Sequence, residues 1–583
     1  MKAPAKKHFS SVVKHPQAIK YPTAHSQPMA LRDGEQLAFG TIPESRTLIR
    51  VLDTSHRYRK NEAREKVMGA VYTPPRVAAA LTRWAVRASS DAVLDPSCGE
   101  GVFLSAARTR LADLGARRPQ CVGVDIDPET ADQTGAICAD FFAWAGIAPR
   151  QDAILGNPPF IRSHLFPESS RALAFRAMER MGFHPSRLMS TWAPFLGICC
   201  GLLKPDGRLA MVIPEELLAV GYAKELREFL LRFFRRVVVC FPDSNIFPEV
   251  QQAVVLLLCE TTTELPRGLF TLDYSSLEEG DYAAAALAAP WSWNSKWSHL
   301  FLSARERTCV SEWRSLLDWQ SFSEYGRVEV GIVTGDNQYF ILRGPEAERF
   351  PQQHLVPIIT SARDLRGIRF GSDDFRTVVA DNRPAYLLKL HQPRPMLNRT
   401  ELDYVEMGES QKVSQRYKCR IREPWYAVPG IWEPDAILLR QAGDMPRLVH
   451  LAKKCAATDT IHRVSWHHPS LGRRHTASFM NTWTLLVSEL TGRSYGGGVL
   501  ELMPGEANRL PMPEPVEELD GIFDTIDQRV RASDSFAAVA SVDDIVLPKQ
   551  MSKGEKNSLR DTLDKLIQRR KNKADGTDNN RIS

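Results

Sequence analysis

A loop rich in hydrogen-bond acceptors follows a short apolar run at residues 152–160, DAILGNPPF. The run predicts a buried strand that ends at Gly156, where the chain can turn sharply. Pro158 and the proline after it fix φ and lack N–H donors, so the loop is stiff and offers carbonyl oxygens. Asn157 adds an amide and Phe160 an aromatic face, a combination suited to holding the amino group of an aromatic base. An isolated Asn-Pro-Pro sequence is more often a plain structural turn, and only the upstream motifs favour a functional loop.

Three carboxylates upstream also stand at the ends of short apolar runs. They are Asp95, Asp125 and Asp140, and helical stretches separate them from one another and from Asn157. This alternation predicts an α/β fold with a doubly wound sheet. Because the carboxyl ends of parallel strands meet at one edge, we expect the four polar side chains to lie at that edge.

The glycine-rich turn after Asp95 narrows the class of ligand. Gly99 and Gly101 would let a ligand approach the backbone closely. A dinucleotide fingerprint requires a further glycine at position 104, which is Leu104, and NAD is therefore disfavoured. Asp125, at the end of the second strand, is placed to hold a ribose diol by two hydrogen bonds.

Composition bounds the class of protein. A chain of 583 residues predicts about three domains. No apolar run reaches the ~18–20 residues of a membrane span and no secretory signal is recognisable, so we expect a cytoplasmic protein without membrane contact. Ten scattered cysteines without a CxxC pair predict reduced thiols. His462, His467 and His468 lack further ligands at suitable spacing, and no metal is expected. The net charge of +6 permits a polyanionic partner.

Seven motifs in a fixed order carry a resemblance to a known family. They are YTPP, LDPSCGEG, GVDIDP, ADFF, GNPPF, LLKPDGRLAMVIP and IFPEVQQAVVLL. Over about 69–260 this set resembles the amino-group DNA methyltransferases that use S-adenosylmethionine. The cofactor motifs precede the target-recognition region, which resembles the gamma class of adenine-N6 enzymes from restriction–modification systems. The resemblance implies a Rossmann-like methyltransferase sheet and double-stranded DNA as the partner. A separate restriction endonuclease or defence-system subunit is a further possible partner.

The resemblance also implies roles for four residues in catalysis. Asn157 and the Pro158 carbonyl would accept hydrogen bonds from the amino group of the target base. Phe160 would stack on the flipped base, and Phe247 would form a second aromatic wall. Asn rather than Ser or Asp at position 157 favours adenine over cytosine-N4.

A second set of residues is implied to contact the cofactor. Its members are Tyr72, Thr73, Asp95, Cys98, Gly99, Asp125, Ile126, Asp140 and Phe141. The first two would meet the methionine end, the next three its amino-acid part, Asp125 the ribose, and the last three the adenine. Thr73 is also predicted to cap the helix that follows it, and Asp127 is interpreted as a helix N-cap without a cofactor role.

Five segments are predicted along the chain. They are an N-terminal arm (1–68), the methyltransferase domain (69–265), a connecting region (266–315), a C-terminal α+β target-recognition domain (316–515) and a charged helical tail (516–583). Basic residues among aromatics at 416–422 suit a nucleic-acid face. An apolar stripe in the tail, Leu559, Leu563, Leu566 and Ile567, is predicted to dock on the body or on a partner helix.

Three alternatives remain open at this stage. The same loop also resembles methyltransferases of RNA bases and of protein glutamine, although the basic second domain argues against the glutamine substrate. An inactive DNA-binding subunit is a further alternative, and the full set of cofactor motifs argues against it. Residues 1–68 are too short for a fused nuclease, so cleavage would belong to another chain.

Overall fold

The computed structural model describes residues 73–242, 246, 253–261, 266–288, 296–495 and 498–578, without the side chains of 495 and 572–578. Tyr72, Phe247 and the predicted arm at 1–68 lie outside the described residues. We refer to 73–288 as the N-terminal half and to 296–578 as the C-terminal half. Within these ranges, no helix is long and apolar enough to cross a membrane.

One large mixed sheet organises the N-terminal half. Its strands are β1 (Val93–Asp95), β2 (Cys121–Asp125), β3 (Ile137–Cys138), β4 (Gln151–Gly156), β5 (Leu203–Pro214), β6 (Arg236–Phe241), β7 (Val254–Glu260), β8 (Gly268–Asp273) and β9 (Ala286–Leu287). In the described part of the chain they follow the order β3-β2-β1-β4-β5-β7-β6-β8-β9. The five strands from β3 to β5 are parallel, and β7 runs antiparallel between β5 and β6.

One helix precedes these strands, and the others lie between them in the chain. They are α1 (Pro75–Ala85), α2 (Val102–Asp113), α3 (Pro128–Thr134), α4 (Phe141–Trp144), α5 (Glu168–Arg180), α6 (Trp192–Gly201), α7 (Glu216–Ala219), α8 (Lys224–Phe233) and α9 (Tyr274–Glu279). The strand order reverses at β1, with β2 and β3 on one side and β4 and β5 on the other. Because β–α–β crossovers are right-handed, helices on the two sides of this reversal cover opposite faces. The predicted doubly wound α/β sheet is confirmed.

Hydrophobic burial fixes the sheet between its helices. Strand β5 is apolar and buried from Leu209 to its end, and all seven residues of β7 are buried. A strand covered on both faces is expected to have such a continuous apolar sequence. Helix α6 is buried along its whole length, in agreement with a sequence that is apolar on every side. In α1 the buried Val77, Leu81 and Trp84 lie on one helical face.

The C-terminal half is an α+β body followed by helices. Its strands are β10 (Gln320–Ser321), β11 (Gly326–Val330), β12 (Ile341–Leu342), β13 (Leu355–Ile359), β14 (Arg369–Phe370), β15 (Tyr386–Leu388), β16 (Ala436–Leu438), β17 (Gln441–Ala442), β18 (Leu448–Leu451), β19 (Ala456–Ala457), β20 (His462–Trp466), β21 (Arg493–Tyr495), β22 (Val499–Glu501) and β23 (Pro511–Met512). Five of them form the largest sheet of this half, in the order β11-β20-β16-β18-β14.

The helices of this half include the tail. They are α10 (Ala304–Leu317), α11 (Asn337–Phe340), α12 (Gly344–Ala347), α13 (Ser372–Ala380), α14 (Arg399–Ser410), α15 (Tyr417–Arg420), α16 (Gly472–Ser478), α17 (Thr482–Thr491), α18 (Pro504–Ala507), α19 (Glu518–Arg531), α20 (Ser535–Val546) and α21 (Lys553–Asp578). The predicted apolar stripe of α21 is at most 5% exposed and belongs to the same core cluster as residues of α17. The stripe therefore docks on the body of the same chain.

Candidate active site

Two of the predicted site residues, Asp95 and Asp125, meet at the carboxyl edge of the parallel strands, beside the glycine that begins the Asn157 loop. Asp95 ends β1 and pairs with Gly123 of β2, and Asp125 ends β2. Gly156 ends β4, next to β1. A Cβ added to Gly156 would stand 3.1 Å from Asp95 Oδ1, so glycine allows the carboxyl group to lie beside the start of the loop.

Side chains from distant parts of the chain hold the Asn157 loop. Asn157 Nδ2 donates to the buried Thr73 hydroxyl at 3.0 Å, which fixes the rotation of the amide. The Ser97 hydroxyl donates to the Asn157 carbonyl at 3.4 Å, and the Thr191 hydroxyl donates to the Pro159 carbonyl. The carbonyls on both sides of that of Pro158 are therefore engaged by the protein.

The position of Thr73 differs from the prediction of a helix cap. Helix α1 begins at Pro75 with Pro74 as its N-cap residue, and no side chain caps it. The prediction was wrong. Because Pro75 has no N–H, the first turn has one backbone donor fewer that a capping side chain would have to accept. The Thr73 hydroxyl contacts Asn157 instead.

The carboxyl group of Asp95 is buried in the site and has a raised pKa. It is 1% exposed, its Oδ1 accepts the Ser97 amide at 3.2 Å, and its Oδ2 has no partner among the described residues. Burial raises its pKa to about 8, the Ser97 hydrogen bond opposes this shift, and the charge of Asp125 adds to it. A cationic group beside Oδ2 would restore the ionised form.

The glycine-rich turn wraps around Asp125. Its Oδ2 accepts the Gly99 amide and its Oδ1 the Asp127 amide, each at 2.9 Å. Gly99 has φ +49° and open space around its Cβ position, so backbone is exposed there without a side chain. Cys98 is 4% exposed and burial raises the pKa of its thiol to about 12, so it contributes a neutral wall.

The residues implied to surround the cofactor adenine have different environments. Ile126 is 55% exposed directly after β2 and presents an apolar surface. Asp140 caps α4 through the Phe142 amide and accepts the Ser170 hydroxyl. Phe141 is 4% exposed and its ring stacks on Phe195 with centroids 4.7 Å apart, so its ring belongs to the core.

Phe160 lies in the core cluster of the N-terminal half at 8% exposure. The structure therefore brings together Thr73, Asp95, Cys98, Gly99, Asp125 and Asn157 around one edge, with Pro158 buried in the loop. Asp127 accepts the amides of Glu129 and Thr130 and caps α3, as predicted.

Sequence reasoning missed several positioning residues. Ser97 and Thr191 hold the loop, and Ser170 holds Asp140. Gly123 leaves room for the turn, because a Cβ there would stand 2.6 Å from Leu104 Cδ1. Only Gly123 carried a signal, as the sole residue without a side chain in the second strand.

In the basic segment 416–422, some side chains bind to other parts of the chain and others are exposed. Arg416 pairs with Asp336 at 2.8 Å, and Arg422 donates to the carbonyls of Val333 and Thr334. Tyr417 is 64% exposed. Some of the predicted nucleic-acid residues thus have structural partners within the chain.

Three family models match successive parts of the chain. The description "N-6 DNA Methylase" matches residues 56–138, and "Eco57I restriction-modification methylase" matches 130–247. "Type II methyltransferase M.Eco57I, C-terminal domain" matches 294–547. These matches follow one another along the chain and include both halves.

Individual proteins are similar to this chain over most of its length. Type II methyltransferase M.XamI of Xanthomonas campestris pv. amaranthicola is 24% identical over 474 residues, covering 76% of this chain and 85% of that protein. Type II methyltransferase M.AccI of Acinetobacter calcoaceticus is 21% identical over 392 residues, which cover 62% of this chain and 69% of that protein. Among solved structures, the type IIL restriction–modification enzyme MmeI in complex with DNA covers 90% of this chain and 75% of its own, at 13% identity and a TM-score of 0.46.

The fold and the family matches define the class: the chain is a DNA methyltransferase. More particularly, it is an N-6 DNA methylase of the type II restriction–modification kind, with Eco57I-type sequence in its middle and C-terminal parts. The predicted reaction class is confirmed, and the family implies S-adenosylmethionine as the methyl donor. The gamma class and the roles of single residues stay predictions.

Proposed function

We propose that the Asn157 loop positions N6 of an adenine extruded from duplex DNA for methylation, as in gamma-class enzymes. The observation that carries this proposal is the hydrogen bond from Asn157 Nδ2 to Thr73, together with the engaged carbonyls on both sides of Pro158. The Asn157 Oδ1 and the Pro158 carbonyl are the two acceptors that the target amino group would meet.

The chemistry requires acceptors rather than an acid or a base. An adenine amino group is a poor nucleophile because its lone pair is delocalised into the ring. Two fixed acceptors on its hydrogens favour a pyramidal nitrogen and stabilise the positive charge that develops there. Rigidity adds to this effect, since a preorganised loop needs no rearrangement during the reaction. The prolines and the bonds from Ser97 and Thr191 supply that rigidity.

The residues at the sheet edge fit the proposed cofactor. When bound, S-adenosylmethionine supplies an electrophilic methyl group on a sulfonium centre. Asp95 Oδ2, buried and without a partner among the described residues, suits the α-ammonium group. Asp125 suits the ribose hydroxyls, because each carboxylate oxygen can accept a bond beyond the one from an amide. Ile126 offers an apolar surface for the adenine.

Extrusion of the target base requires compensation for lost stacking, which amounts to a few kcal/mol. Phe160, at the end of the loop, is the described aromatic residue placed to provide it. Since only 8% of Phe160 is exposed, we expect its stacking contact to form as the base enters. Phe247 is proposed as the second wall from the family resemblance alone. The partner that cleaves unmodified DNA is proposed to be a separate chain.

The test offers different acceptors to the protein with labelled S-adenosylmethionine. We expect unmethylated duplex DNA to accept label and nucleoside analysis of the product to give N6-methyladenine. Pre-methylated duplex DNA of the same sequence is the control and should accept none. Labelling of RNA or of a glutamine-containing protein, with none in DNA, would overturn the proposal.

A further inference from the structure

Two short turns border the Asn157 loop, and we call them the first rim turn (161–165) and the second rim turn (186–190). Thr191 joins them to each other and to the loop. The Ile161 amide donates to the Thr191 hydroxyl and the Thr191 amide donates to the Ile161 carbonyl, each at 3.0 Å. The same hydroxyl donates to the Pro159 carbonyl. Both turns therefore lie beside the loop that would hold the target amino group.

Each rim turn presents a leucine to solvent. Leu165 is 53% exposed and Leu188 is 71% exposed. The residues that follow them, Phe166 and Met189, are at most 4% exposed and anchor the turns in the core of the N-terminal half. A single exposed leucine is common on protein surfaces. Two of them on neighbouring turns beside a candidate active site indicate a contact surface.

Hydrogen bonds fix the backbone that carries the two leucines. In the first rim turn, the Leu165 amide donates to the Arg162 carbonyl at 2.9 Å. In the second, the Leu188 amide donates to the Ser186 hydroxyl at 3.2 Å, and the Met189 amide donates to the Ser186 carbonyl at 2.9 Å. Turning either leucine inward would break these bonds, so the apolar side chains are held at the surface.

The charge around the leucines fits duplex DNA. The rim turns contain two exposed arginines, Arg162 and Arg187, and no acidic residue. The first carboxylate after the first rim turn, Glu168, pairs with Arg171. An apolar surface flanked by positive charge is complementary to a stack of bases between phosphates. Duplex DNA is also the partner that a DNA methyltransferase must bring to the Asn157 loop.

We propose that Leu165 and Leu188 form an apolar wedge that enters the duplex where the target adenine has left the stack. Because the wedge acts on the base that the Asn157 loop receives, it depends on the proposed function. Apolar side chains inserted between base steps keep a duplex open. The wedge would occupy the vacated space and oppose the return of the base, which raises the fraction of adenine available at the loop. Both leucines are positioning residues, since they contact neither the reacting nitrogen nor the methyl group.

The test uses the full chain and a duplex that contains the methylated adenine, located by sequencing DNA treated with the wild type. A second duplex places a cytosine opposite the same adenine, so that pairing no longer holds it in the stack. Leu165→Ala/Leu188→Ala removes the wedge, and Leu165→Met/Leu188→Met keeps its apolar volume. Leu287→Ala/Leu316→Ala is the matched control, because both leucines are exposed, at 55% and 47%, and lie outside the rim turns. The readout is kcat/KM for methyl transfer, and the thermal midpoint reports folding.

On the paired duplex we expect Leu165→Ala/Leu188→Ala to lower kcat/KM about tenfold, because restacking of the adenine competes with methylation. On the mismatched duplex this loss should nearly disappear, since an unpaired adenine leaves the stack more easily. The methionine variant and the control should match the wild type on both duplexes. A loss as large on the mismatched duplex as on the paired one, or no loss on either, would overturn the proposal. Failure of the wild type to methylate DNA would instead reject the proposed function, and the wedge with it.

Discussion

The carboxyl group of Asp95 stays protonated to a higher pH in the folded protein without cofactor than in the unfolded chain. Burial raises its pKa from an ordinary value of 3.8 to about 8, so the folded state keeps the carboxyl group protonated where the unfolded chain would be ionised. Between about pH 4 and pH 8 the folded state therefore binds more protons than the unfolded state. In this window the contribution of Asp95 to stability is lost as the pH rises.

Asp95→Asn should remove this dependence. The variant should gain stability relative to the wild type as the pH rises from 5 to 8, because the amide stays neutral. Thermal unfolding without cofactor at several pH values is the measurement. In the wild type at pH 6.5, binding of a cationic ligand should also release a proton, which calorimetry in buffers of different ionisation enthalpy detects. Identical pH profiles of the two proteins would contradict this assignment.

Thr73→Val should lower kcat about tenfold, since loss of one neutral hydrogen bond corresponds to roughly 1.4 kcal/mol. The reason is that Asn157 Nδ2 loses the acceptor that fixes the rotation of its amide. Thr73→Ser keeps the hydroxyl and should retain most of the activity. Steady-state methyl transfer to duplex DNA provides both values. If valine and serine at this position gave the same kcat, the hydroxyl would have no part in positioning Asn157.

At the scale of single residues, the sequence predicted the types of residue at the site. It did not predict the residues that hold them in place. The Asn157 loop could be recognised because a strand, a turn and an acceptor-rich sequence are local. Thr73 lies 84 positions before Asn157, and Thr191 lies 32 positions after Pro159. No local pattern connects residues so far apart, since the folded sheet alone brings them together.

The turn between β1 and α2 depends on close packing against β2. A Cβ on Gly123 would stand 2.6 Å from Leu104 Cδ1 and 3.1 Å from Cys98 Sγ. Gly123→Ala should therefore destabilise the protein by about 1–3 kcal/mol and weaken S-adenosylmethionine binding by displacing the turn. Urea unfolding and cofactor binding are the measurements.

Gly521→Ala is the matched control for this element. Gly521 lies inside α19, is exposed, and has open space where a Cβ would stand. Alanine there should stabilise the protein by about 0.5–1 kcal/mol because it restricts the unfolded chain. Equal effects of the two substitutions would show that packing at Gly123 is not the constraint.

Strands of the large sheet could be predicted where an apolar run ends in a polar residue, as in β1, β2 and β4. The region 266–315 was predicted to connect two domains, yet it contributes β8 and β9 to this sheet. Strand β9 consists of two exposed residues in an alanine-rich stretch. Such a short edge strand has no period-two pattern, and only its pairing with β8 defines it.

The tail helix α21 connects the parts of the molecule through two neighbouring arginines. Arg569 pairs with both oxygens of Glu215 in the N-terminal half at 3.1 Å. Its guanidinium also lies 3.8 Å from the ring centroid of Phe301, which belongs to the C-terminal half. Arg570 turns into the C-terminal half and pairs with Glu489, with both side chains at most 4% exposed. The sequence predicted that the apolar stripe docks. It did not predict these ion pairs, because neighbouring charged residues in a sequence are typical of a solvent-exposed face and their partners are distant in the chain.

Arg570→Met should destabilise the protein by about 3–5 kcal/mol, because it leaves Glu489 buried without its partner. Adding Glu489→Leu should recover part of this loss, whereas the carbonyls of Gly443 and Asp444 would still lack their donor. Lys571→Met is the control, since its pair with Asp444 is exposed and should contribute at most about 1 kcal/mol. Chemical denaturation measures all three. A double variant less stable than Arg570→Met would contradict this account of the pair.

The most direct test of the central claim is the yield of N6-methyladenine in duplex DNA incubated with Asn157→Ala. We predict that this variant binds S-adenosylmethionine and folds as the wild type does, yet forms product at least 100-fold more slowly, since fixed groups of this kind contribute about 10²–10³ in rate. Asn557→Ala, an exposed asparagine on the tail helix, should retain full activity. Undiminished N6-methyladenine from Asn157→Ala would contradict the assignment of the loop as the site of methyl transfer.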